Sequence, residues 1–403
     1  MKTLIVSFYY SPELGAAPSR ISNMAEGLKQ KGVDVDVLTC LPNYPKGEIF
    51  EGYKKTFFRK ENINGINCYR YWTYATVSKK AVARLFSMFS FALTMWSFAF
   101  KRKQIKAYDY VIVQSPPILV AFSAMLLFGC LYKKKMVLNV SDLWPGSAVE
   151  LGAVREGGGI HKFMLWIERF IYKHSYLIQG QSNEILKHIE GFVPEKKKFL
   201  YRNLQHSFVF QQRKSIKREP FKIVYAGLLG EAQNILGIIK QINFKELGAE
   251  FHLYGGGTQT QLINEFIEKN DVGVYYHGYL EKQKMVETLT EYNASIVPLL
   301  VSIKGAVPSK IFDLLPVGVP ILFCGSGEGA EIIKEYNIGL VSSSGDIKGL
   351  KCNIQKLIAY SDEDYIQIKN NCINASLNDF SFEEQMNRYY EFLRSNIKET
   401  TEV

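Results

Sequence analysis

The chain has 403 residues, of which 47% are apolar and 22% are charged. This balance is typical of a globular protein and excludes a disordered or low-complexity chain. Since a single core rarely serves more than about 250–300 residues, the length predicts two domains. The six cysteines are scattered without a C-x-x-C pair, and the six histidines lack metal-ligand spacing. We therefore expect neither a disulfide framework nor a protein-bound metal.

Charge is distributed unevenly between the two halves. Residues 1–205 carry a net charge of +14, and the remaining residues carry −4, which together give the total of +10. The basic residues of the first half form short clusters at 79–80, 101–103 and 133–135, each beside an apolar stretch. An anionic partner is expected for this half, but the absence of a polar basic stripe argues against nucleic acid.

The elements alternate between strand and helix along the whole chain. An apolar run at residues 3–10 is too short for a signal peptide and predicts a buried first strand, so we expect a cytosolic protein. Further predicted strands of the first half lie at 33–38, 110–114, 136–140 and 177–181, with helices such as 19–31 and 162–173 between them. The second half repeats the pattern, with predicted strands at 222–226, 250–254, 274–277, 295–298, 321–324 and 339–341.

This alternation predicts an α/β protein with two Rossmann-like domains, whose parallel sheets face a central cleft. We expect an N-terminal domain at residues 1–205 and a C-terminal domain at 206–380, joined by a polar linker at 211–220. A final helix within 381–403 is expected to cross back toward the first domain.

Two apolar runs, at residues 85–100 and 118–132, are flanked by the basic clusters. Each is about 15 residues long, shorter than the roughly 20 residues that a membrane-spanning helix needs. One interpretation is docking on an anionic membrane surface, with Lys101, Arg102 and Lys103 beside the lipid headgroups. The other is that both runs are buried helices of an α/β domain.

The most informative motif lies at residues 307–321, VPSKIFDLLPVGVPI. It reads as a turn, one helical turn that carries Lys310 and Asp313, and a Gly-x-Pro before an apolar strand. A cation beside a hydrogen-bond acceptor suits a ligand that has both phosphate and sugar hydroxyls, such as a nucleotide-sugar. The alternative is a solvated surface pair.

Glycine turns follow several predicted strands. Gly15 lies in the turn after the first strand, Gly227 and Gly230 follow the first strand of the second half, and Gly329 lies in the cluster at 325–333. The turn after the first strand contains no G-x-G-x-x-G dinucleotide motif. Glycines at the carboxyl ends of parallel strands are typical of phosphate sites, although each turn alone is equally consistent with a plain βα connection.

The chain resembles GT-B glycosyltransferases of family 4 over essentially its whole length. It is most similar to the branch that includes N-acetyl-L-fucosamine transferases of bacterial O-antigen and capsule assembly. The matching segments are PELGAAPSR (12–20), LPNYPKGEIFEGY (41–53), QSPP (114–117), DLWP (142–145), YAGLLGEAQ (225–233), VPSKIFDLLPVGVPIL (307–322) and GEGAEII (327–333).

The resemblance implies roles for these residues at a UDP-sugar donor. Gly15 would approach the diphosphate from the first domain, Lys310 would neutralise the leaving diphosphate, and Asp313 would bind the ribose. The remaining donor residues implied are Gly227, Gly230, Gln233, Gly329 and Glu331.

The chain departs from the family pattern in two places. Gly305 replaces the first glutamate of the E-x7-E motif, and residues 228–233 contain neither lysine nor arginine. Lys304 or Lys310 would have to supply the positive charge instead.

The family transfers sugars with retention of configuration, and no metal or other cofactor is expected. Asp142 is proposed to orient the acceptor hydroxyl or the transferred sugar, with a helix N-cap as the alternative role. Arg20 is a candidate for holding the acceptor phosphate.

The expected protein is a peripheral enzyme on the cytoplasmic face of the inner membrane. It would transfer a sugar, with N-acetyl-L-fucosamine as the candidate, from a UDP-sugar to a polyprenyl-diphosphate-linked saccharide in O-antigen or capsular polysaccharide synthesis. Two alternatives remain: a UDP-sugar 2-epimerase of the same fold, and a catalytically inactive subunit that recruits a partner to the membrane.

Overall fold

A computed structural model describes residues 1–78, 81–150, 152, 154–205 and 218–398. The chain divides into two units, one of residues 1–203 and 382–403 and the other of residues 204–381. The predicted boundary at 205/206 lies two residues from this division. Lys79 and Lys80, and residues 211–217 of the predicted linker, lie outside the described residues.

The first unit is built on an eight-stranded sheet. Its strands are β1 (Lys2–Val6), β2 (Asp34–Cys40), β3 (Phe58–Ile63), β4 (Ile66–Tyr71), β5 (Tyr110–Ser115), β6 (Lys135–Val140), β7 (Leu177–Gly180) and β8 (Lys198–Leu200). Their order is β3-β4-β2-β1-β5-β6-β7-β8, and every neighbouring pair is parallel except β3 with β4. The order reverses between β1 and β5, so the carboxyl ends of these two strands border a topological switch point.

Helices cover this sheet because its central strands are apolar on both faces. They are α1 (Ala16–Gln30), α2 (Ala81–Thr94), α3 (Arg102–Lys106), α4 (Ile118–Ala124), α5 (Gly146–Glu150), α6 (Gly159–His174) and α7 (Asn183–Glu190). A 3-10 segment, Met95–Phe100, extends α2, and a π-helical segment, Met125–Leu131, extends α4.

The second unit contains a six-stranded, fully parallel sheet. Its strands are β9 (Phe221–Ala226), β10 (Ala249–Tyr254), β11 (Val274–Tyr276), β12 (Ala294–Pro298), β13 (Ile321–Cys324) and β14 (Gly339–Ser342), in the order β11-β10-β9-β12-β13-β14. This is the Rossmann order, whose switch point lies between β9 and β12. The helices are α8 (Ile235–Gln241), α9 (Thr260–Lys269), α10 (Lys282–Leu289), α11 (Lys310–Leu314), α12 (Glu328–Glu335), α13 (Ile347–Ile358) and α14 (Asp362–Leu377), with 3-10 segments at Glu231–Gln233, Lys245–Leu247 and Leu315–Val317.

The last helix, α15 (Phe382–Lys398), returns to the first unit. It packs on α1, where Met386 occupies the space that a side chain at Gly27 would need. The Tyr110 hydroxyl donates a hydrogen bond of 2.9 Å to the Leu393 carbonyl of this helix. These contacts hold the C-terminal helix against the N-terminal sheet.

The predicted α/β architecture of two parallel-sheet domains is confirmed. One element that the sequence interpretation missed is the antiparallel pair β3 and β4 at the edge of the first sheet. Its turn contains Asn64 and Gly65, both with positive φ angles. Asn-Gly is a hairpin signal, but the charged sequence of β3 hid it among loop residues.

The two apolar runs have different environments. The second run, α4 and the π-helical segment, lies largely in the core, with Val120, Ala124, Leu127 and Phe128 buried. The first run is amphipathic: it buries Phe91, Met95 and Phe98 and exposes a stripe formed by Phe86, Phe89, Leu93, Trp96 and Phe100. No helix among the described residues is long and apolar enough to cross a membrane.

Candidate functional site

The switch point of the second sheet is bordered by the loops that follow β9 and β12. The loop after β9 carries the predicted glycine turn, and the loop after β12 leads to α11 at Lys310. The two loops are joined where the Leu300 N–H donates a hydrogen bond of 2.9 Å to the Ala232 carbonyl. The fold therefore places the two halves of the predicted donor site side by side within one unit.

Lys310 reaches back to the end of β9. Its Nζ lies 2.9 Å from the Tyr225 hydroxyl oxygen and 4.0 Å from the centre of the Tyr225 ring. The Tyr225 hydroxyl in turn donates a hydrogen bond of 2.6 Å to the Leu228 carbonyl. Burial lowers the pKa of Lys310 to about 8, and the nearby Asp313 carboxylate partly offsets this effect. An anion beside this partly desolvated ammonium would stabilise its charged form, and a diphosphate is such an anion.

Gly227 provides the space for that ammonium. Its φ angle is 151°, and a Cβ atom at this position would overlap with Lys310 Nζ. Gly255 and Gly257, from the loop after β10, approach equally closely: their Cβ atoms would overlap with the Gly227 and Leu229 carbonyls. The glycines thus permit two loops and one lysine to converge at the sheet edge.

Gly230 and Gln233 form the next turn of the same loop. Gly230 precedes the 3-10 segment with an extended backbone, at φ −116° and ψ 177°. The Gln233 Oε1 atom is buried, and no hydrogen bond to it is found among the described residues. A buried acceptor without a protein donor is costly, so a ligand or water donor would stabilise this loop.

The other predicted donor residues lie on α11 and α12. Asp313 is in the only full turn of α11, where its N–H donates to the Ser309 carbonyl. The Cα atom of Gly329 faces Pro308, Ile311 and Phe323, because a Cβ there would lie 3.1–3.5 Å from these side chains.

Gly329 therefore brings α12 against the lysine-bearing loop. The Glu331 side chain on this helix is exposed, whereas Glu328, which the sequence interpretation did not single out, is buried in the same turn.

Gly305 lies in a buried turn with a φ angle of 82°. This is the left-handed region, in which a glutamate would be strained. The backbone of the loop after β12 is thus adapted to the residue that departs from the family pattern.

In the first unit, the Arg20 guanidinium and the Asp142 carboxylate are close enough to interact electrostatically. Arg20 is buried on α1, and its Nη1 donates a hydrogen bond of 2.8 Å to Gln181 Oε1. Burial raises the pKa of Asp142 to about 6, while the positive charge of Arg20 opposes the rise. Burial likewise lowers the pKa of Arg20, and Asp142 opposes that change. Gln181, which follows β7, is a site partner that the sequence interpretation missed.

No helix N-cap hydrogen bond of Asp142 is found among the residues that the structure describes. The helix nearest to it in sequence, α5, begins only at Gly146. Asp142 is instead a partly buried carboxylate that feels the positive charge of Arg20. An electrostatically perturbed acid at a sheet edge is a candidate for orienting a hydroxyl group.

Gly15 precedes α1 with a φ angle of 137°, and its Cα atom is covered by the ring of Tyr44. A Cβ at Gly15 would lie 3.0 Å from Tyr44 Cε1. The first helical turn of α1 contains no acidic residue, so its free N–H groups face no competing carboxylate within the helix.

The basic cluster predicted to contact lipid follows the Met95–Phe100 segment and begins α3. Lys101 is partly engaged within the protein, with its Nζ 5.4 Å from the centre of the Phe58 ring, and Arg102 and Lys103 are exposed. Among the described residues there is no group of three or more His, Cys, Asp or Glu side chains that could hold a metal ion.

Part of the chain is similar in sequence to a described protein family. Residues 15–200 match the model of the family described as a glycosyl transferase 4-like domain. The protein WcaI of Escherichia coli (strain K12), named as a colanic acid biosynthesis glycosyl transferase, is 22% identical over 337 residues, which is 79% of this chain and 82% of that protein.

Solved structures extend the similarity to the whole fold. A sucrose-phosphate synthase from Thermosynechococcus elongatus superposes with a TM-score of 0.71 at 14% identity, covering 98% of this chain and 99% of that one. Anabaena HepE in complex with UDP gives a TM-score of 0.70 at 11% identity, covering 98% and 100% of the two chains. The GT-B fold is thereby confirmed, and the family match supports a glycosyltransferase.

Proposed function

We propose that the protein transfers a sugar from a UDP-sugar to a lipid-linked saccharide during the synthesis of a cell-surface polysaccharide. The single observation that carries the donor half of the proposal is the partly buried Lys310 ammonium at the switch point, held between Tyr225 and Gly227. HepE, which shares the fold, was solved with UDP, and WcaI is named for colanic acid biosynthesis. O-antigen or capsule synthesis, with N-acetyl-L-fucosamine as the sugar, is the specific form that the sequence resemblance favours.

In this proposal the second unit binds the nucleotide. Asp313 accepts hydrogen bonds from the ribose hydroxyls, and Lys310 neutralises the diphosphate as it leaves. The N–H groups of the Gln233 side-chain amide and of the backbone around Gly227 and Gly230 donate to the phosphate oxygens and orient them. Because this arrangement places positive charge and N–H dipoles where negative charge develops, it stabilises the transition state of sugar transfer without a strong base.

The first unit binds the acceptor. Asp142 accepts a hydrogen bond from the acceptor hydroxyl, and Arg20 maintains the charge balance around Asp142 and contributes to phosphate binding. Transfer with retention of configuration is part of the proposal: the leaving phosphate takes the proton of the acceptor hydroxyl on the same face of the sugar, and the C–O bond to the acceptor forms as the bond to the diphosphate breaks.

Membrane docking is proposed through the exposed stripe on the first apolar run. Its five side chains, which are Phe86, Phe89, Leu93, Trp96 and Phe100, are between 38% and 89% exposed. Helix α4 packs against both α2 and α6, and α6 also exposes apolar side chains at Ile160, Phe163 and Trp166. Aromatic residues above a covered core, with basic residues at their borders, are typical of helices that lie in a membrane interface.

A thermal-shift screen tests the donor half of the proposal. UDP and UDP-sugars should raise the melting temperature by mass action, and one UDP-sugar should exceed UDP. The Asp313→Ala variant should lose most of this stabilisation, while an exposed control, Asp379→Asn, should retain it. Stabilisation by another nucleotide in preference to UDP would overturn the assignment of the donor.

An inactive, membrane-recruiting subunit remains the second candidate, because Gly305 stands where the family has a sugar-binding glutamate. Such a subunit would have the same fold and the same exposed apolar stripe for membrane docking, but it would not transfer a sugar. Nucleotide binding that is insensitive to Asp313→Ala, together with no sugar transfer, would favour it.

A further inference from the structure

Glu13 is a buried carboxylate to which the proposed mechanism assigns no role. Its Oε1 accepts hydrogen bonds of 2.8 Å from the N–H groups of both Asn43 and Tyr44, and its Oε2 accepts one of 3.1 Å from the Tyr10 N–H. Three backbone donors on one carboxylate fix the loop after β2 against the loop after β1. Burial raises the pKa of Glu13, and the hydrogen bonds from Asn43, Tyr44 and Tyr10 oppose the rise.

The result of this clamp is the position of the Tyr44 ring. The ring lies over the Cα atom of Gly15 and packs edge-on against Tyr9, with ring centres 5.3 Å apart and planes inclined by 66°. It remains 38% exposed, and no hydrogen bond of its hydroxyl is found among the described residues. An aromatic ring whose backbone and one edge are held by neighbouring residues, and which is otherwise exposed, offers a rigid apolar surface.

That surface lies at the carboxyl edge of the first sheet, where the loops after β1 and β2 meet. We propose that Tyr44 is a sugar-binding platform, on which the C–H face of a pyranose ring stacks, and that Glu13 is its positioning residue. This inference rests on the proposed function, since a glycosyltransferase handles a sugar on both the donor and the acceptor. The chemistry of the platform is common to both sugars, and the experiment below separates them.

Saturation-transfer NMR gives the first arm of the test. The probes are methyl α-L-fucopyranoside and N-acetylglucosamine, added to the full-length protein with saturating UDP present. Signal transfer to the ring C–H protons is expected in the wild type and in Tyr44→Phe, which keeps the ring. In Tyr44→Ala the apparent affinity should fall by about 3- to 10-fold, the range for an aromatic contact. Tyr74→Ala removes a tyrosine of the same unit that is 40% exposed and serves as the matched control.

Isothermal titration gives the second arm. If the platform holds the donor sugar, Tyr44→Ala removes the advantage of the best UDP-sugar over UDP and leaves the affinity for UDP unchanged. If the platform holds the acceptor sugar, Tyr44→Ala weakens only the binding of the free saccharide and leaves the binding of the UDP-sugar unchanged. Either loss supports the platform. The proposal is overturned if Tyr44→Ala binds the UDP-sugar and the free saccharide as tightly as the wild type does. Failure of the proposed function is distinguished by the absence of UDP binding in the wild type.

The positioning role of Glu13 needs a separate readout, because Glu13→Gln should also lower the melting temperature. In the wild-type background, Glu13→Gln should weaken saccharide binding through the displaced ring. In the Tyr44→Ala background the same change should lower the melting temperature again but leave saccharide binding as it is. Equal losses of saccharide binding in both backgrounds would show that Glu13 does not act through the Tyr44 ring.

Discussion

The ammonium of Lys310 lies 2.9 Å from the hydroxyl of Tyr225, a residue 85 positions earlier in the chain. The contact joins the end of the first strand of the second sheet to the start of α11, across the switch point. The Tyr225 hydroxyl also donates a hydrogen bond to the Leu228 carbonyl, which fixes the Tyr225 ring. The Lys310 ammonium lies over this ring. This contact in the second unit and the neighbouring charges of Arg20 and Asp142 in the first unit have measurable consequences.

Binding of UDP should be accompanied by proton uptake. The pKa of Lys310 is about 8 without ligand because the ammonium is buried. A diphosphate beside it favours the charged form and raises the pKa, so roughly half a proton or more should be taken up at pH 8.5. Titration calorimetry in two buffers with different ionisation enthalpies measures the uptake. In Lys310→Arg, whose guanidinium stays protonated, the uptake should disappear, and an unchanged uptake would contradict this role.

An added methyl group at Gly227 should weaken the binding of UDP. The Cβ atom of Gly227→Ala would overlap with Lys310 Nζ, and the φ angle of 151° is unfavourable for alanine. We expect UDP affinity to fall by at least about 10-fold, with a loss of roughly 1 kcal/mol or more in folding stability. Gly159→Ala, at an exposed position with open space around it, is the control and should bind UDP normally. Equal affinities of the two variants would refute the close packing at Gly227.

The charge state of Asp142 should make stability depend on pH. Burial raises its pKa in the folded protein to about 6, from an ordinary value near 4. Between these values the folded protein holds a proton that the unfolded chain has released, so stability falls as the pH rises through this window. The shift corresponds to at most about 3 kcal/mol. Denaturant unfolding between pH 4 and pH 8 should show this fall in the wild type and a smaller one in Asp142→Asn. Asp379→Asn should follow the wild type, and parallel curves for all three proteins would show that Asp142 is not perturbed.

Membrane docking should depend on the exposed stripe of α2. Replacing Phe86, Phe89 and Leu93 by serine should reduce pelleting with anionic liposomes by more than 10-fold, because about 25 cal/mol is lost for each Å² of apolar surface that no longer leaves water. Neutralising Lys101, Arg102 and Lys103 should weaken pelleting at low salt only, since exposed charges are screened at higher ionic strength. Leu377→Ser, on an exposed helix of the second unit, is the control. Pelleting that survives both sets of changes would exclude this surface.

The sequence predicted the parallel strands well because those strands are continuous apolar runs bounded by turns. It failed for the β3–β4 hairpin, where charged and half-exposed residues conceal the strand period. It also treated the two apolar runs alike. Only packing distinguishes them: the run at 118–132 is enclosed by neighbouring helices, while the run at 85–100 has one face that nothing among the described residues covers.

The same limit holds for the site. Local sequence predicted the glycine turns and the Lys310–Asp313 segment, since each is encoded within a few residues. It could not identify Tyr225, Gln181 or Glu13, whose partners lie on other elements. Glu13 and Tyr44 did fall within the segments that carried the family resemblance, but their hydrogen bond connects residues 31 positions apart and emerges only when the loops are folded.

Release of UDP tests the central claim most directly. Purified protein is incubated with the UDP-sugar that stabilises it best, with and without a polyprenyl-diphosphate-linked saccharide, and UDP is quantified over time. Our account predicts release that depends on the acceptor. At a UDP-sugar concentration well below KM, the rate should fall at least about 100-fold in Asp313→Ala, because losing an interaction made throughout the reaction lowers kcat/KM. No release with any UDP-sugar, combined with nucleotide binding that Asp313→Ala leaves unchanged, would contradict it.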